Sequence, residues 1–355
     1  MKRTKVAVLK TNPKTVVEDY GKLMDLAEYE RFISKRYETI LKLNLSWTLF
    51  YPACSSPPWE VEGVVKKLVE DGYKGLHPVE NKTVVTKPVD GARQNKWLPV
   101  LKKYGLEFEP LTEVKWVNYK PKFNSLAIED LFPNSWKIPE MFLGKNVVHF
   151  PTVKTHGHTT MTGSIKNAFG GLITEKRHHS HKVIDEILVD LLHAQQDIHK
   201  GIFSVMDGTV CGNGAGPRTM DPVIKNYILG SGDCVALDSI SAKMMGFDPM
   251  KVKHLKLAHD LGLGCADLDQ IEIIGEDISR VNFKFESKKS PVVFFDQVLR
   301  KKYPVFEPLL FHTPLFKLCI LGSEYYHDYL WYPLQGKRQV KKFMKTSWGR
   351  KFREY

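Results

Sequence analysis

Ile40-Leu-Lys-Leu-Asn-Leu-Ser-Trp47, Pro58-Trp-Glu-Val-Glu-Gly-Val-Val-Lys-Lys-Leu-Val-Glu-Asp-Gly72 and Lys74-Gly-Leu-His-Pro-Val79 decide the fold. The outer two segments read as strands. The middle one reads as a helix, with Pro58 at its start, apolar residues at 61, 64, 65, 68 and 69, and Gly72 at its end. A strand, a helix and a strand in succession make a crossover, and a crossover implies a parallel pair. Working outward, residues 6–9 extend the pattern as a strand, and the chain then runs helix 91–104, strand 145–150, helix 180–199, strand 202–206, helix 239–246 and strand 270–274. The expected class is α/β, a mixed or mostly parallel central sheet with flanking helices. Residues 109–144 read as a loop-rich insertion. The expected organisation is an α/β body over 1–302 with a candidate seam near 144–150, an aromatic, proline-rich cap over 303–335, and a basic amphipathic tail over 336–355.

Composition excludes several classes. With 355 residues, 43% hydrophobic and 26% charged, the chain can bury a large core and is not disordered or fibrous. Cysteines at 54, 211, 234, 265 and 319 form no CxxC pair, so neither a zinc ribbon nor an on-chain iron–sulfur cluster is expected. The basic start lacks the apolar core of a secretory signal, and no apolar run reaches membrane-spanning length, so a cytoplasmic location is expected. Net charge is +12, of which residues 336–355 contribute +7. The body is therefore only mildly basic and no recognisable binding fold for nucleic acid is present, so nucleic acid is not the expected partner.

Three stretches carry the chemistry. Lys154, His156, His158, Lys166 and Asn167 fall within 14 residues, directly after the apolar stretch Val147–Phe150. Open α/β sheets bind ligands past the C-terminal ends of their strands. A lysine there holds an anion or, when desolvated, acts as a base. The competing reading is a polar loop whose side chains cap helices. Second, Arg177-His-His-Ser-His181 presents His178, His179 and His181 as candidate ligands of a divalent metal, or as a cationic helix start. His193 and His199 read as surface residues. Third, a strand expected to end at Asp207 leads into a glycine loop with Gly212, Gly214, Gly216 and Arg218. It matches neither a P-loop nor a dinucleotide fingerprint, but glycine lets backbone N–H groups approach an anion and Arg218 adds a donor fork. Asp207 suits a general base. Gly232 and Asp233 form a further turn, expected to lead into a strand, and Asp238 reads as the cap of the next helix.

These residues together resemble the DUF362 family. The likeness runs in order through Lys154–Gly170, Val205–Arg218, Gly232–Asp238 and Gly262–Gly275, within a stretch from about residue 38 to residue 280. Many members carry an added ferredoxin-like module with clustered cysteines, which these motifs lack. The resemblance leaves room for a separate electron donor and names no reaction.

The residues themselves suggest the chemistry. Lys154, His156, His158, Lys166, Asn167 and Asp207 are the candidate catalytic residues, and Gly212, Gly214, Gly216, Arg218, Gly232 and Asp233 the candidate cofactor-binding ones. Such a cationic site suits a small anionic substrate, and the expected reaction is proton or hydride transfer of redox or isomerase type. The alternatives are a non-catalytic module for an anion, cofactor or metal, and attachment to nucleic acid or a membrane through the basic tail. In that tail Val340, Phe343, Met344 and Ser347 share a helical face, which either docks on the protein or lies on an anionic surface.

Overall fold

The computed structural model describes residues 3–83, 86–173, 177–294 and 316–355. The chain begins with β1 (Thr4–Lys10) and α1 (Val16–Leu26), and the crossover follows as β2 (Thr39–Lys42), α2 (Pro58–Glu70) and β3 (Leu76–Glu80). β2 and β3 pair in parallel, Thr39 opposite Leu76 and Lys42 opposite Val79. Helices α3 (Pro88–Gln94) and α4 (Trp97–Lys103) lead to β4 (Glu109–Pro110). Next come β5 (Trp116–Tyr119), α5 (Ile128–Leu131), β6 (Trp136–Pro139), β7 (Asn146–His149), β8 (Thr152–His156) and β9 (Thr160–Met161). Helices α6 (Ser164–Leu172), α7 (Arg177–Ser180) and α8 (Ile184–Ile198) precede the long hairpin of β10 (Gly201–Ala215) and β11 (Thr219–Ser231). Helices α9 (Cys234–Met245) and α10 (Lys253–Asp260) and strand β12 (Ile271–Gly275) complete the body.

The main sheet runs β12-β1-β11-β10-β7-β2-β3-β4, with β8 and β9 attached at β10. Pairs from β10 through β7, β2, β3 and β4 are parallel, as is β1 with β12, whereas β11 is antiparallel to both its neighbours. Both faces are covered. Ile40 and Val147 point into a core shared with α6, α8 and α9, while Leu41 and Val148 point into a second core shared with α1, α2 and α4. This one-residue alternation between two apolar layers is why the parallel strands read as unbroken apolar runs.

Several boundaries differ from expectation. The helix expected over 91–104 is two, α3 and α4, broken at Lys96, whose φ is 63°. Pro99 is tolerated only in a first helical turn, so the helix must restart just before it. The strand expected to stop at Asp207 continues to Ala215, so the expected glycine loop is instead paired strand, opposite Thr219–Ile224. The turn at Asp233 leads into α9, not a strand, and Asp233 is that helix's cap, accepting from the Val235 and Ala236 amides at 2.9 Å each. The insertion 109–144 contains a separate β5-β6 hairpin. The seam suggested at 144–150 coincides with β7, which lies between β10 and β2 inside the main sheet. His199, expected at the surface, is buried and its Nδ1 lies 3.2 Å from the Lys145 carbonyl.

Of the aromatic cap, residues 303–315 lie outside the described residues, and the remainder is helical from Phe316 to Gly336. The tail forms two helices, Lys337–Met344 and Ser347–Arg353, and docks on the body. Trp348 is fully buried with its ring 4.9 Å from that of Trp59, and its Nε1 donates to Asn226 Oδ1 at 2.7 Å. Phe352 stacks on Phe50 at 3.9 Å. Of the expected amphipathic face, Phe343 is buried, Val340 and Met344 are half-buried against the body, and Ser347 is exposed. Replacing a buried indole by a methyl leaves a cavity, so Trp348→Ala is expected to lower the unfolding free energy by about 3–5 kcal/mol in urea titration. An unchanged midpoint would show that the tail is not part of the core.

Candidate functional site

Strands β2, β3 and β7 end side by side while β10 continues past them, and the segments that follow the three carry a buried polar network. Its centre is Lys154 on β8, fully buried. The ammonium donates to Asn44 Oδ1 at 2.7 Å, to the Cys54 carbonyl at 2.9 Å and to Thr152 Oγ1. All three acceptors are uncharged. Burial pushes the amine down to about 8. Strand alternation puts Thr152 on the same side as Lys154, and pairing places Lys154 opposite Gly212. A Cβ at Gly212 would sit 2.1 Å from Met220 Sδ and 3.1 Å from Lys154 Cβ, so glycine there makes room for β8 and its neighbours to pack.

Asn44 continues the network. Its Nδ2 donates to Asn167 Oδ1 at 3.1 Å, and Asn167 Nδ2 donates to the Lys42 carbonyl at 2.9 Å and reaches His149 Nδ1 at 3.3 Å. His149 Nε2 lies 2.5 Å from Gln195 Oε1. Burial lowers His149 to about 3, so it is neutral and can accept at Nδ1 while donating at Nε2. On the α6 side, Lys42 and Glu80 form a buried ion pair at 2.9 Å, and Glu80 also accepts from the Leu45 and Asn81 amides. Gly170 and Gly171 face this pair, where added Cβ atoms would come within 3.3 Å of the Lys42 side chain.

A carboxyl pair lies behind Lys154. Asp207, opposite Thr152 in β10, accepts from Tyr20 at 2.8 Å, Thr209 at 2.8 Å and Trp59 at 3.3 Å. Burial raises it to about 6. Glu60 is fully buried, and the Ser56 side chain and the Asp207 backbone lie near its carboxyl without a close hydrogen bond to either oxygen. Burial first, then the Asp207 charge, raise it well above the usual carboxylate range, while Lys154 opposes the rise. A cavity of about 20 Å³, room for a water, lies beside Asp207 and Ser55 and is walled by Trp59, Phe343 and Phe352.

Arg218 completes the group from the far side of the Cys54 loop. The Cys54 thiol donates to the Pro217 carbonyl at 3.0 Å, while the Cys54 carbonyl serves Lys154. Arg218 Nη1 is buried with no hydrogen-bond partner among the described residues. Burial brings the guanidinium down to about 10, which leaves it charged at neutral pH.

The remaining candidates divide. His156, at the end of β8, is buried and accepts at Nδ1 from the His158 and Thr159 amides at 3.2 and 3.3 Å. Burial holds it well below the usual histidine range, so it is a neutral turn-former. His158 stacks on His181 with ring centres 4.7 Å apart and planes 4° apart, which brings two of the histidine groups together. Lys166 lies on α6 with its ammonium 5.0 Å from the Phe169 ring. His179 sits on α7 beside this pair in sequence, and the His178 side chain lies outside the described residues. Among the described residues no three His, Cys, Asp or Glu side chains are grouped to hold a metal ion. Gly214 accepts through its carbonyl from Thr155 and Lys288, and Gly216 packs directly on the Thr155 carbonyl. Gly232 and Asp233 are not part of this assembly. Ser204 pairs with Ser231 and Gly212 faces Lys154, so Asp233 lies roughly 25 Å along the hairpin from the lysine. Asp238, read as a helix cap, is interior to α9 and instead caps α6, accepting from the Ser164 and Ile165 amides at 2.7 and 3.0 Å. Its carboxylate fills the space beside Gly163, 2.3 Å from where a Cβ would be.

The residues not anticipated are Asn44, Cys54, Glu60, Lys42, Glu80 and His149. A signal existed for some of them. Lys42 and Asn44 interrupt an apolar strand two residues apart, whereas nothing in the sequence of α2 marks Glu60 as buried.

The model of a family described as a domain of unknown function, DUF362, matches residues 39–243, and the chain belongs to that family. The match takes in Lys42, Asn44, Glu60, Lys154, Asn167, Asp207 and Arg218, while Tyr20 and the tail residues Phe343 and Phe352 beside Asp207 lie outside it. A thylakoid-associated protein of Synechocystis is 24% identical over 239 residues, which cover 62% of this chain and 70% of that protein. No solved structure matches the chain.

Lys154 gives a direct test of the network. Its folded amine loses its proton near 8 and the unfolded one near 10.5. Between those values the unfolded chain binds the extra proton, so stability rises with pH there, and the penalty of burying the charge is in full force below pH 8. Lys154→Met lacks that titration. The stability difference between wild type and variant is therefore expected to move in favour of wild type by on the order of 3 kcal/mol from pH 8 to 10.5. Parallel pH profiles would mean that the amine ionises normally.

Proposed function

We propose that this DUF362 protein is an enzyme of proton-transfer type acting on a small anionic substrate. The observation that carries the reading is the joint burial of Lys154, Glu60 and Asp207. A base is pushed down toward neutrality and two acids are pushed up toward it inside one compartment. Such displaced pairs are how folds run acid–base chemistry near pH 7. Arg218, whose Nη1 is a buried donor without a hydrogen-bond partner among the described residues, is assigned to the substrate's carboxylate or phosphate. In this reading the neutral Lys154 amine takes a proton from carbon next to a carbonyl or carboxylate. The C–H bond breaks, an N–H bond forms, and the electron pair moves to the carbonyl oxygen as an enolate held by the cationic surroundings. Proton return from the opposite side, with the carboxyl pair as donor, gives the isomer. A hydride version needs a separate electron donor, a reduced nicotinamide or flavin carrier that gives hydride to an oxidised substrate, and this chain supplies the anion and proton handling.

We also assign the protein to the cytoplasm. Cys54, Cys211, Cys234 and Cys265 are free thiols, as a reducing compartment permits.

The test is solvent exchange. The full chain is incubated in D2O with 2-hydroxy-, 2-oxo- and 2-amino-carboxylates and their phosphorylated analogues, and proton NMR follows loss of the C–H signal next to the carbonyl or carboxylate, at C2 of the hydroxy and amino acids and at C3 of the oxo acids. Exchange in at least one substrate is expected, rising with pH through about 8 and falling ~100-fold or more in Lys154→Met and Glu60→Gln. Circular dichroism of the variants separates lost chemistry from lost fold. No exchange with any compound, or exchange indifferent to both substitutions in folded protein, overturns the assignment.

A further inference from the structure

The docked tail leaves an apolar surface just before it. In the helical run Phe316–Gly336 the turns widen from α to π type at Tyr325. Leu318, Leu321, Tyr325, Tyr329, Leu330 and Leu334 along it are between 45% and 68% exposed. Their spacing follows first the α repeat and then the wider one, so they line one side. The Tyr325 and Tyr329 rings confirm this, stacked at 6.1 Å with planes 21° apart. The opposite side is pinned to the body. Asp328 accepts from Trp47 Nε1 at 2.6 Å, His327 is buried against the Trp47 ring, and Tyr332 donates to the Phe50 carbonyl at 2.9 Å. The ridge is therefore not the docking face of this helix but its outward one.

Charge continues where the ridge ends. Lys337, Arg338, Lys341, Lys342 and Lys345 are all exposed, because Phe343 and its neighbours have turned the apolar side of that helix inward. Glu324 and Asp328 are the acids of residues 316–353, and neither is fully exposed.

We propose that this ridge and the basic cluster beside it form a docking surface for an anionic lipid bilayer. Tyrosines and leucines with no polar partner to seek suit the boundary between headgroups and acyl chains, and the adjoining cations suit acidic headgroups. Nucleic acid would engage the cations and leave the leucines exposed. A second copy of this chain would bring its own positive cluster against the first. The face that sequence alone offers to lipid, Val340–Phe343–Met344, is not the one used. The contact is made by the helix preceding it, and it is independent of the chemistry proposed for the buried site.

Co-sedimentation of the full chain with phosphatidylcholine vesicles, with and without phosphatidylserine, tests this. Binding is expected to the phosphatidylserine vesicles at low salt and to fall as salt rises. The variant Lys337→Gln/Arg338→Gln/Lys341→Gln/Lys342→Gln should weaken it ~100-fold. The variant Leu321→Ser/Tyr325→Ser/Tyr329→Ser should abolish retention at moderate salt while melting like wild type, since it alters exposed groups. Four results would overturn the proposal. The intact protein fails to sediment, or the ridge variant binds vesicles as wild type does. The ridge variant melts several degrees lower, which makes the ridge a covered part of the fold. Light scattering shows a dimer that the ridge variant dissolves, which assigns the surface to a second copy.

Discussion

A fully buried lysine ammonium sets the terms for the end of the sheet where β2, β3 and β7 stop. Lys154 could not be buried without acceptors, and three separate segments supply them: its own strand through Thr152, the segment after β2 through Asn44, and the Cys54 turn through a carbonyl. Leaving one of those contacts unmade would cost about 1–3 kcal/mol. The loop from residue 43 to 57 is thereby folded down over β8, and the entry into α2 is fixed with it. That entry puts Trp59 onto Asp207 and buries Glu60 beside it. The negative potential behind the ammonium and the neutral cradle in front are consequences of one placement.

The same placement couples the two faces of the sheet. Alternation sends Lys154 toward the α2 core and Lys42 toward the α6 core, and the Asn44–Asn167 pair connects them. α6 must therefore lie close to the ends of β2 and β7. Asp238 holds its first turn from below, and the glycines at 170 and 171 let its body rest on the Lys42–Glu80 pair. The Lys-Asn-x-Phe-Gly-Gly stretch that drew notice for its ionisable residues thus has two layers of meaning. Asn167 belongs to the network, the glycines are for contact, and Lys166 is a partly exposed neighbour of Phe169.

Much of the fold was legible because the parallel strands are bounded by glycine and proline and the α2 crossover shows its period openly. Misreadings arose where long-range contact overrides local pattern. Glycines at 212 and 214 look like a loop in sequence, yet they are in a strand: at 212 Met220 and Lys154 approach too closely for a side chain, and at 214 the backbone φ is 104°. Asp238 looks like a cap of its own helix, but a carboxylate finds its amides in whichever helix end the fold brings to it. Of the site, Lys154, Asn167, Asp207 and Arg218 were visible as polar residues at strand ends. Glu60 was not, since nothing in an amphipathic pattern says that a helix will be covered on its polar side by a tail nearly 300 residues later.

That tail is the element through which interior and surface share a cause. Phe343 and Phe352 wall the cavity beside Asp207, and Trp348 packs on Trp59, which donates to the same carboxylate. Excluding water there is what raises the carboxyl pair, because desolvation is the leading influence on both. The apolar side chains that do this come from a segment whose other residues are mostly Lys and Arg, and burying one side of a helix obliges the other to face outward. A strongly basic exterior beside the aromatic ridge and a dry, proton-holding interior are therefore two outcomes of a single amphipathic pattern. The surplus charge of the chain is concentrated on the same tail helices whose inward rings, Phe343, Trp348 and Phe352, pack beside Asp207 and Trp59.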